Sequence, residues 1–119
     1  MLIYRAGSGT TKNMTPRPDK DTVGGQRGLS AFEHIDMVPR ATDADVKVQV
    51  IETDALVEPL GFVRHGDGHV SVVPMAAGKI DDTALLAWAA TREAAAPSPL
   101  TAKVLAAIVD QKKVLKKGV

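Results

Sequence analysis

Residues 61–74 read GFVRHGDGHVSVVP, a stretch that strongly restricts how the middle of the chain can fold. Two runs of strand-forming residues flank His-Gly-Asp-Gly. An Asp-Gly pair tolerates the positive φ angles of a tight turn, so the two runs are expected to pair as a β-hairpin. We expect Pro74 to end the second strand, because proline cannot donate a ladder hydrogen bond.

Further strands are predicted on the N-terminal side of this hairpin. Residues 2–4 (LIY) favour a half-buried strand, and GLSAF at 28–32 favours a short extended piece that leads into a helical turn near residues 33–37. Residues 45–51 (DVKVQVI) alternate apolar and polar positions, which is typical of a strand with one wet face.

Helices are predicted on the C-terminal side. Asp81 and Asp82 suit an N-cap and a first turn, and the Ala-rich stretch 83–95 should follow as a helix. We expect that helix to bury Leu85, Leu86, Trp88 and Ala89. After Pro97 and Pro99, a last helix is predicted over residues 100–116. Because strands precede helices along the chain, the predicted fold class is α+β.

Composition excludes several classes of protein. The chain has 119 residues and no cysteine, which excludes a disulfide framework and a thiolate metal site. A formal charge of +1 gives no strong attraction to nucleic acid or to an anionic membrane. No signal-peptide pattern and no apolar run of membrane-spanning length is found. We therefore expect a cytoplasmic protein, which would need a dedicated secretion system to act outside its producer.

Familiar catalytic motifs are weak in this sequence. The histidines are His34, His65 and His69, without a metal-binding spacing. Ser30, His69 and an aspartate could form a triad, but GLSAF lacks the second glycine of a nucleophile elbow. Aromatic residues make up 3% of the chain, too few for RNA binding by base stacking.

A long segment without helical or strand periodicity, residues 6–27, separates the first two strands. It is rich in Gly, Pro and Thr, and its cations outnumber its acids: Lys12, Arg17, Lys20 and Arg27 against Asp19 and Asp21. Loops of this length in a small domain are usually functional or disordered. Arg5 stands where this loop begins. A cation directly after a buried strand either reaches the surface or meets an anion.

The order of the motifs YRAG, TPRPDKD, GLSAF and GHVSVVP resembles bacterial polymorphic toxin domains, including small type VI secretion cytotoxins of ADP-ribosyltransferase-like fold. The resemblance spans residues 1 to about 92. It implies a split antiparallel β-sheet with NAD in the cleft. The domain would occupy residues 1–96, and residues 97–119 would form a C-terminal helix packed on it or extending from it.

The resemblance also implies roles for individual residues. Arg5 would hold the dinucleotide together with Arg17, while Tyr4 and Ser30 would shape the nicotinamide pocket. The reaction would break the nicotinamide–ribose bond, with Arg5, Ser30 and His69 as catalytic candidates. A carboxylate can stabilise the cation formed. However, no Glu-x-Glu or Gln-x-Glu occurs, and the alternatives Glu33, Glu52 and Glu58 are not distinguished.

Alternatives to an NAD-dependent toxin stay open at this point. One is a non-catalytic binding module of the same fold, held by an immunity or antitoxin protein or forming a homo-oligomer through its terminal helix. Another is a toxin with ribonuclease-like activity. A toxin made in the cytoplasm would in either case require a neutralising partner in its producer.

Overall fold

The computed structural model describes residues 1–18, 28–38 and 46–114. In these ranges the chain is α+β, as predicted, with short 3-10 turns at Ile35–Met37 and Thr53–Ala55. The strands are β1 (Leu2–Ala6), β2 (Leu29–Phe32), β3 (Val46–Glu52), β4 (Leu60–Arg64), β5 (His69–Ala76), β6 (Lys79–Ile80) and β7 (Ile108–Val114), and the helices are α1 (Asp82–Ala90) and α2 (Pro99–Ala106).

The predicted hairpin is confirmed as β4 and β5, which pair in antiparallel register with Phe62 opposite Val72. Gly66 and Gly68 in the turn have φ angles of +87° and +94°. Glycine adopts this left-handed region without the steric cost that a side chain would bring. The Asp-Gly signal in the sequence therefore identified the turn correctly.

The prediction that Pro74 ends the second strand is wrong, since β5 continues to Ala76. β2 pairs with β5 only between Phe32–His69 and Leu29–Val72. Among the described residues, no ladder bond between β2 and the part of β5 beyond Val72 requires the N–H group that Pro74 lacks.

The strands form one antiparallel sheet in the order β4-β5-β2-β1-β3-β7, and β6 pairs with β5. β1 and β3 stay in register along the whole of β1. By contrast, the described residues of β1 and β2 share one register pair, Tyr4 opposite Phe32. The two halves of the sheet therefore diverge beyond this pair.

The centre of β3 is buried on both faces, which corrects the prediction of one wet face. Val48, Gln49, Val50 and Ile51 are each at most 2% exposed. Gln49 is tolerated there because its side-chain amide donates to the Gly7 carbonyl at 2.9 Å and to Gln111 Oε1 at 3.0 Å.

Helix α1 begins as predicted, with the Asp81 carboxylate accepting a hydrogen bond from the Ala84 amide at 3.0 Å. Leu85, Trp88 and Ala89 are buried as expected. Leu86 is not, because it is 55% exposed, and the helix ends at Ala90 rather than near residue 95.

The predicted helix over residues 100–116 is wrong beyond Ala106. Helix α2 starts at Pro99, and Ile108–Val114 then form β7. β7 pairs with β3 from Val46–Val114 to Ile51–Ile108, so an available sheet partner overrides local helix propensity. The described C-terminal segment thus belongs to the same sheet as the N-terminal strands. Residues 115–119 lie outside the described residues.

The core lies between one face of the sheet and the two helices. It gathers buried side chains from strands, helices and the loop after β1, the largest being Trp88, Ile3, Met14, Leu29, Ile51 and Leu85. Burying these side chains is the main favourable contribution to folding.

Candidate functional site

Arg5 is half-buried, and backbone carbonyls surround its guanidinium. Nε and Nη2 donate to the Asn13 carbonyl at 3.0 and 2.8 Å, and Nη1 donates to the Ser30 carbonyl at 2.6 Å. The planar fork of arginine suits such multiple donation. Arg5 therefore cross-links β1, β2 and the following loop where the two strands diverge.

The first part of the long loop, residues 7–18, is packed against the core. Met14 is fully buried and Thr15 is 2% exposed. The Thr15 hydroxyl donates to the Thr11 carbonyl at 2.8 Å and lies 2.7 Å from the Thr101 hydroxyl. These contacts anchor the loop beside Arg5 to helix α2. Asp19, Lys20, Asp21 and Arg27, counted among the loop charges, lie outside the described residues.

Asn13 organises the turn that returns this loop to Arg5. Its side-chain amide donates to the Ala6 carbonyl at 3.3 Å, and its side-chain oxygen accepts from the Gly9 amide at 3.2 Å. Gly7 has φ of +136°, and a Cβ there would collide with the Asn13 side chain. Glycine at position 7 is therefore needed for the loop to approach so closely.

A cavity of about 390 Å³ opens beside Arg5, at the divergence of β1 and β2. The described residues that line it are Arg5, Ala6, Asn13, Arg17, Ser30, Phe32 and Arg92. Its volume falls near the lower end of the range for small-molecule sites, roughly 300–1,000 Å³. We call this cavity the arginine cleft.

The arginine cleft concentrates positive charge. Arg5, Arg17 and Arg92 line it, and no carboxylate does so among the described residues. Arginine stays protonated at physiological pH, and it binds carboxylates and phosphates through paired hydrogen bonds. The cleft is therefore suited to an anionic ligand.

Arg92, just after α1, was not singled out by the sequence. Within the described part of the chain, its Nε is buried and has no hydrogen-bond partner, and its Nη1 lies 3.8 Å from Glu93 Oε1. The predicted helix continues past this position, whereas α1 ends at Ala90 and Arg92 lines the cleft from the segment that follows.

The sequence-predicted ligand-binding residues are only partly brought together. Arg5, Arg17 and Ser30 line the arginine cleft, with Ser30 contacting Arg5 through its backbone carbonyl. Tyr4 is not among the described lining residues.

His69 begins β5, outside the described lining of the cleft. Its Nδ1 lies 3.1 Å from Asp67 Oδ2, and its ring packs against Phe32 with centroids 4.9 Å apart. The serine–histidine hydrogen bond found nearby joins other residues, His65 Nε2 and Ser71 Oγ, at 2.8 Å. Ser30 and His69 are therefore not joined in a triad.

The three candidate glutamates lie elsewhere. Glu33 pairs with Arg64 at 2.5 Å. Glu52 lies 3.1 Å from the terminal ammonium of Met1, whose hydrogen bond lowers the pKa of the Glu52 carboxyl. Glu58 lines a second cavity of about 360 Å³. None of the three lines the arginine cleft.

Metal-ligating side chains do not cluster in residues 1–18, 28–38 and 46–114, where no group of three His, Asp or Glu residues could hold an ion. In the same ranges, neither helix has the length and apolar character needed to cross a membrane.

Comparison with known proteins identifies no relative of this chain. No family model, no curated protein and no solved structure shows significant similarity to the chain. Inferences about function therefore depend on the arginine cleft itself and on the motif resemblance.

Proposed function

We propose that this chain is a toxin or effector domain of ADP-ribosyltransferase-like type that binds NAD in the arginine cleft. The observation that carries the proposal is the lining of the cleft, where Arg5, Arg17 and Arg92 converge without a carboxylate among the described residues. NAD contains a pyrophosphate, and arginine is the side chain best matched to phosphate geometry.

The size of the cleft supports occupation by one part of the dinucleotide. A volume of about 390 Å³ suits the phosphate and ribose side. Phe32, half-buried in the lining, offers an aromatic face on which a base can stack. The remainder of NAD would extend past the rim.

Binding is better supported than catalysis. Cleavage of the nicotinamide–ribose bond is assisted by a carboxylate near the developing positive charge, and Glu33, Glu52 and Glu58 lie outside the described lining. This observation favours, as the second candidate, a non-catalytic binding module that acts through an immunity or antitoxin partner.

Calorimetric titration with NAD tests the proposal. We expect wild-type protein to bind, and Arg17→Gln to weaken the affinity by about tenfold, since a charge-assisted hydrogen bond is lost. Arg17→Gln removes a cleft cation while leaving the bonds from Arg5 to Asn13 and Ser30 intact. Arg5→Ala should abolish binding.

Lys79→Gln is the matched control, because it removes one exposed cation from β6, away from the cleft. It should bind NAD as the wild type does. Because Arg5 also anchors the loop, circular dichroism must accompany Arg5→Ala. Absence of NAD binding by the wild-type protein would refute the proposal.

A further inference from the structure

We infer that Arg92 binds the phosphate of the ligand directly, that the ligand is a pyrophosphate or a similar multiply charged phosphate, and that Glu93 competes with it. The inference rests on the proposed function in using the same cleft, but it does not require the ligand to be NAD.

The Arg92 side chain carries a buried hydrogen-bond donor. Its Nε is buried and unpartnered within the described part of the chain, although a buried donor without an acceptor is costly. Arg92 also lines the cleft. An oxyanion in the cleft would offer acceptors to this guanidinium.

Arg5 differs from Arg92 in its hydrogen bonding. Arg5 already donates from Nε, Nη1 and Nη2 to the carbonyls of Asn13 and Ser30. Its charge still acts on the cleft, but its hydrogen bonds fix the loop. Arg5 is therefore a positioning residue, whereas Arg92 retains a donor without an acceptor among the described residues.

Glu93 follows Arg92 in the chain and lies close to its guanidinium. Its carboxylate lies 3.0 Å from Lys12 Nζ and 3.8 Å from Arg92 Nη1, and its side chain is 73% exposed. Exposed ion pairs of this kind contribute little stability. A phosphate can therefore displace Glu93 from Arg92 at small cost.

The charge of the cleft indicates the ligand class. Three arginines line the cleft with no carboxylate beside them among the described lining residues, and Glu93, next to Arg92 in the chain, also faces Lys12. This lining favours a ligand carrying at least two negative charges over a monoanion.

The test is calorimetric titration of inorganic pyrophosphate into wild-type protein and two variants. Arg92→Gln should bind about tenfold more weakly or worse. Glu93→Gln should bind about two- to fivefold more tightly, since a competing carboxylate is removed. Glu58→Gln, which removes a carboxylate at the second cavity, should leave the affinity unchanged.

The outcomes separate this inference from the proposed function. Failure of pyrophosphate to bind, or unchanged binding by Arg92→Gln with a normal circular dichroism spectrum, would overturn the inference. If Arg92→Gln does not fold, Arg92→Lys and Glu93→Gln decide the matter: weaker and tighter binding, respectively, support it, and unchanged affinities reject it. Binding of pyrophosphate but not of NAD would reject the proposed function and leave this inference standing.

Discussion

Asp67 fixes the turn between β4 and β5 through its carboxylate. Oδ1 accepts a hydrogen bond from the His69 amide at 3.0 Å, and Oδ2 lies 3.1 Å from His69 Nδ1. The backbone hydrogen bond is the main reason why the pKa of the Asp67 carboxyl is lowered below its ordinary value of 3.8. The ionised Asp67 carboxylate thus stabilises the turn.

Asp67→Asn is predicted to reduce stability at neutral pH and to have little effect in strong acid. Because the folded-state pKa is lowered, the contribution is present above pH 3.8 and is lost as the pH falls through the lowered value. Urea unfolding of the wild-type protein and of Asp67→Asn, at pH 7 and at about pH 2.5, measures the difference in their unfolding free energies. An equal difference in unfolding free energy at the two pH values would contradict it.

A buried hydroxyl connects the elements that pack over the sheet. Thr101 on α2 is fully buried, and its hydroxyl accepts from Trp88 Nε1 on α1 at 2.9 Å. The Thr15 hydroxyl, in the loop after β1, lies 2.7 Å from it. Both helices and the loop beside the arginine cleft therefore share one polar contact inside the core.

Thr101→Val is predicted to destabilise the protein by about 1–3 kcal/mol, because the change in volume is small and the indole N–H and the Thr15 hydroxyl lose their partner. Chemical denaturation measures the decrease in unfolding free energy. Thr83→Val, on the exposed side of α1, is the control and should change stability by no more than about 0.5 kcal/mol. Equal effects of the two substitutions would contradict a specific role for the buried hydroxyl.

At the scale of the whole molecule, the arginine cleft is a product of the sheet topology. β1 joins β3 along its full length and β2 along a single register pair. The space between the diverging strands is bordered by the loop of residues 7–18 and by Arg92 after α1. Parts of the chain nearly ninety positions apart thus build one cleft.

The proposed function makes a prediction for cells. Induced expression in bacteria should arrest growth if the domain acts on NAD or on a target through NAD. Arg17→Gln should relieve the arrest, because the cleft loses a phosphate-binding cation. Lys79→Gln, expressed to the same level, should remain toxic. Growth curves of bacteria that express the wild type, Arg17→Gln or Lys79→Gln measure the arrest.

Normal growth with the wild-type chain would contradict a toxic activity. If such cells also yield a stable complex or dimer on gel filtration, the non-catalytic binding module is the better description. Degradation of total RNA by the purified protein, unaffected by Arg17→Gln, would instead favour the ribonuclease alternative.

Local chemistry made several features predictable. The β4–β5 turn follows from Asp-Gly, and the start of α1 follows from the Asp81 cap. The apolar residues of β1 and β2 indicated strands correctly. The turn, the cap and these strands depend on residues close together in the chain. Arg5, Arg17 and Ser30, to which the motif resemblance assigned ligand-binding roles, line the cleft.

What the sequence determined by itself is the α+β class, the main hairpin and a cation at the end of the first strand. The tertiary structure decided that Ile108–Val114 form a strand, because β3 provides a partner, and that Gln49 is buried, because Gly7 and Gln111 accept its amide hydrogens. It also placed Arg92 in the cleft. Partners distant in sequence compete with local preference, and only the folded chain brings them together.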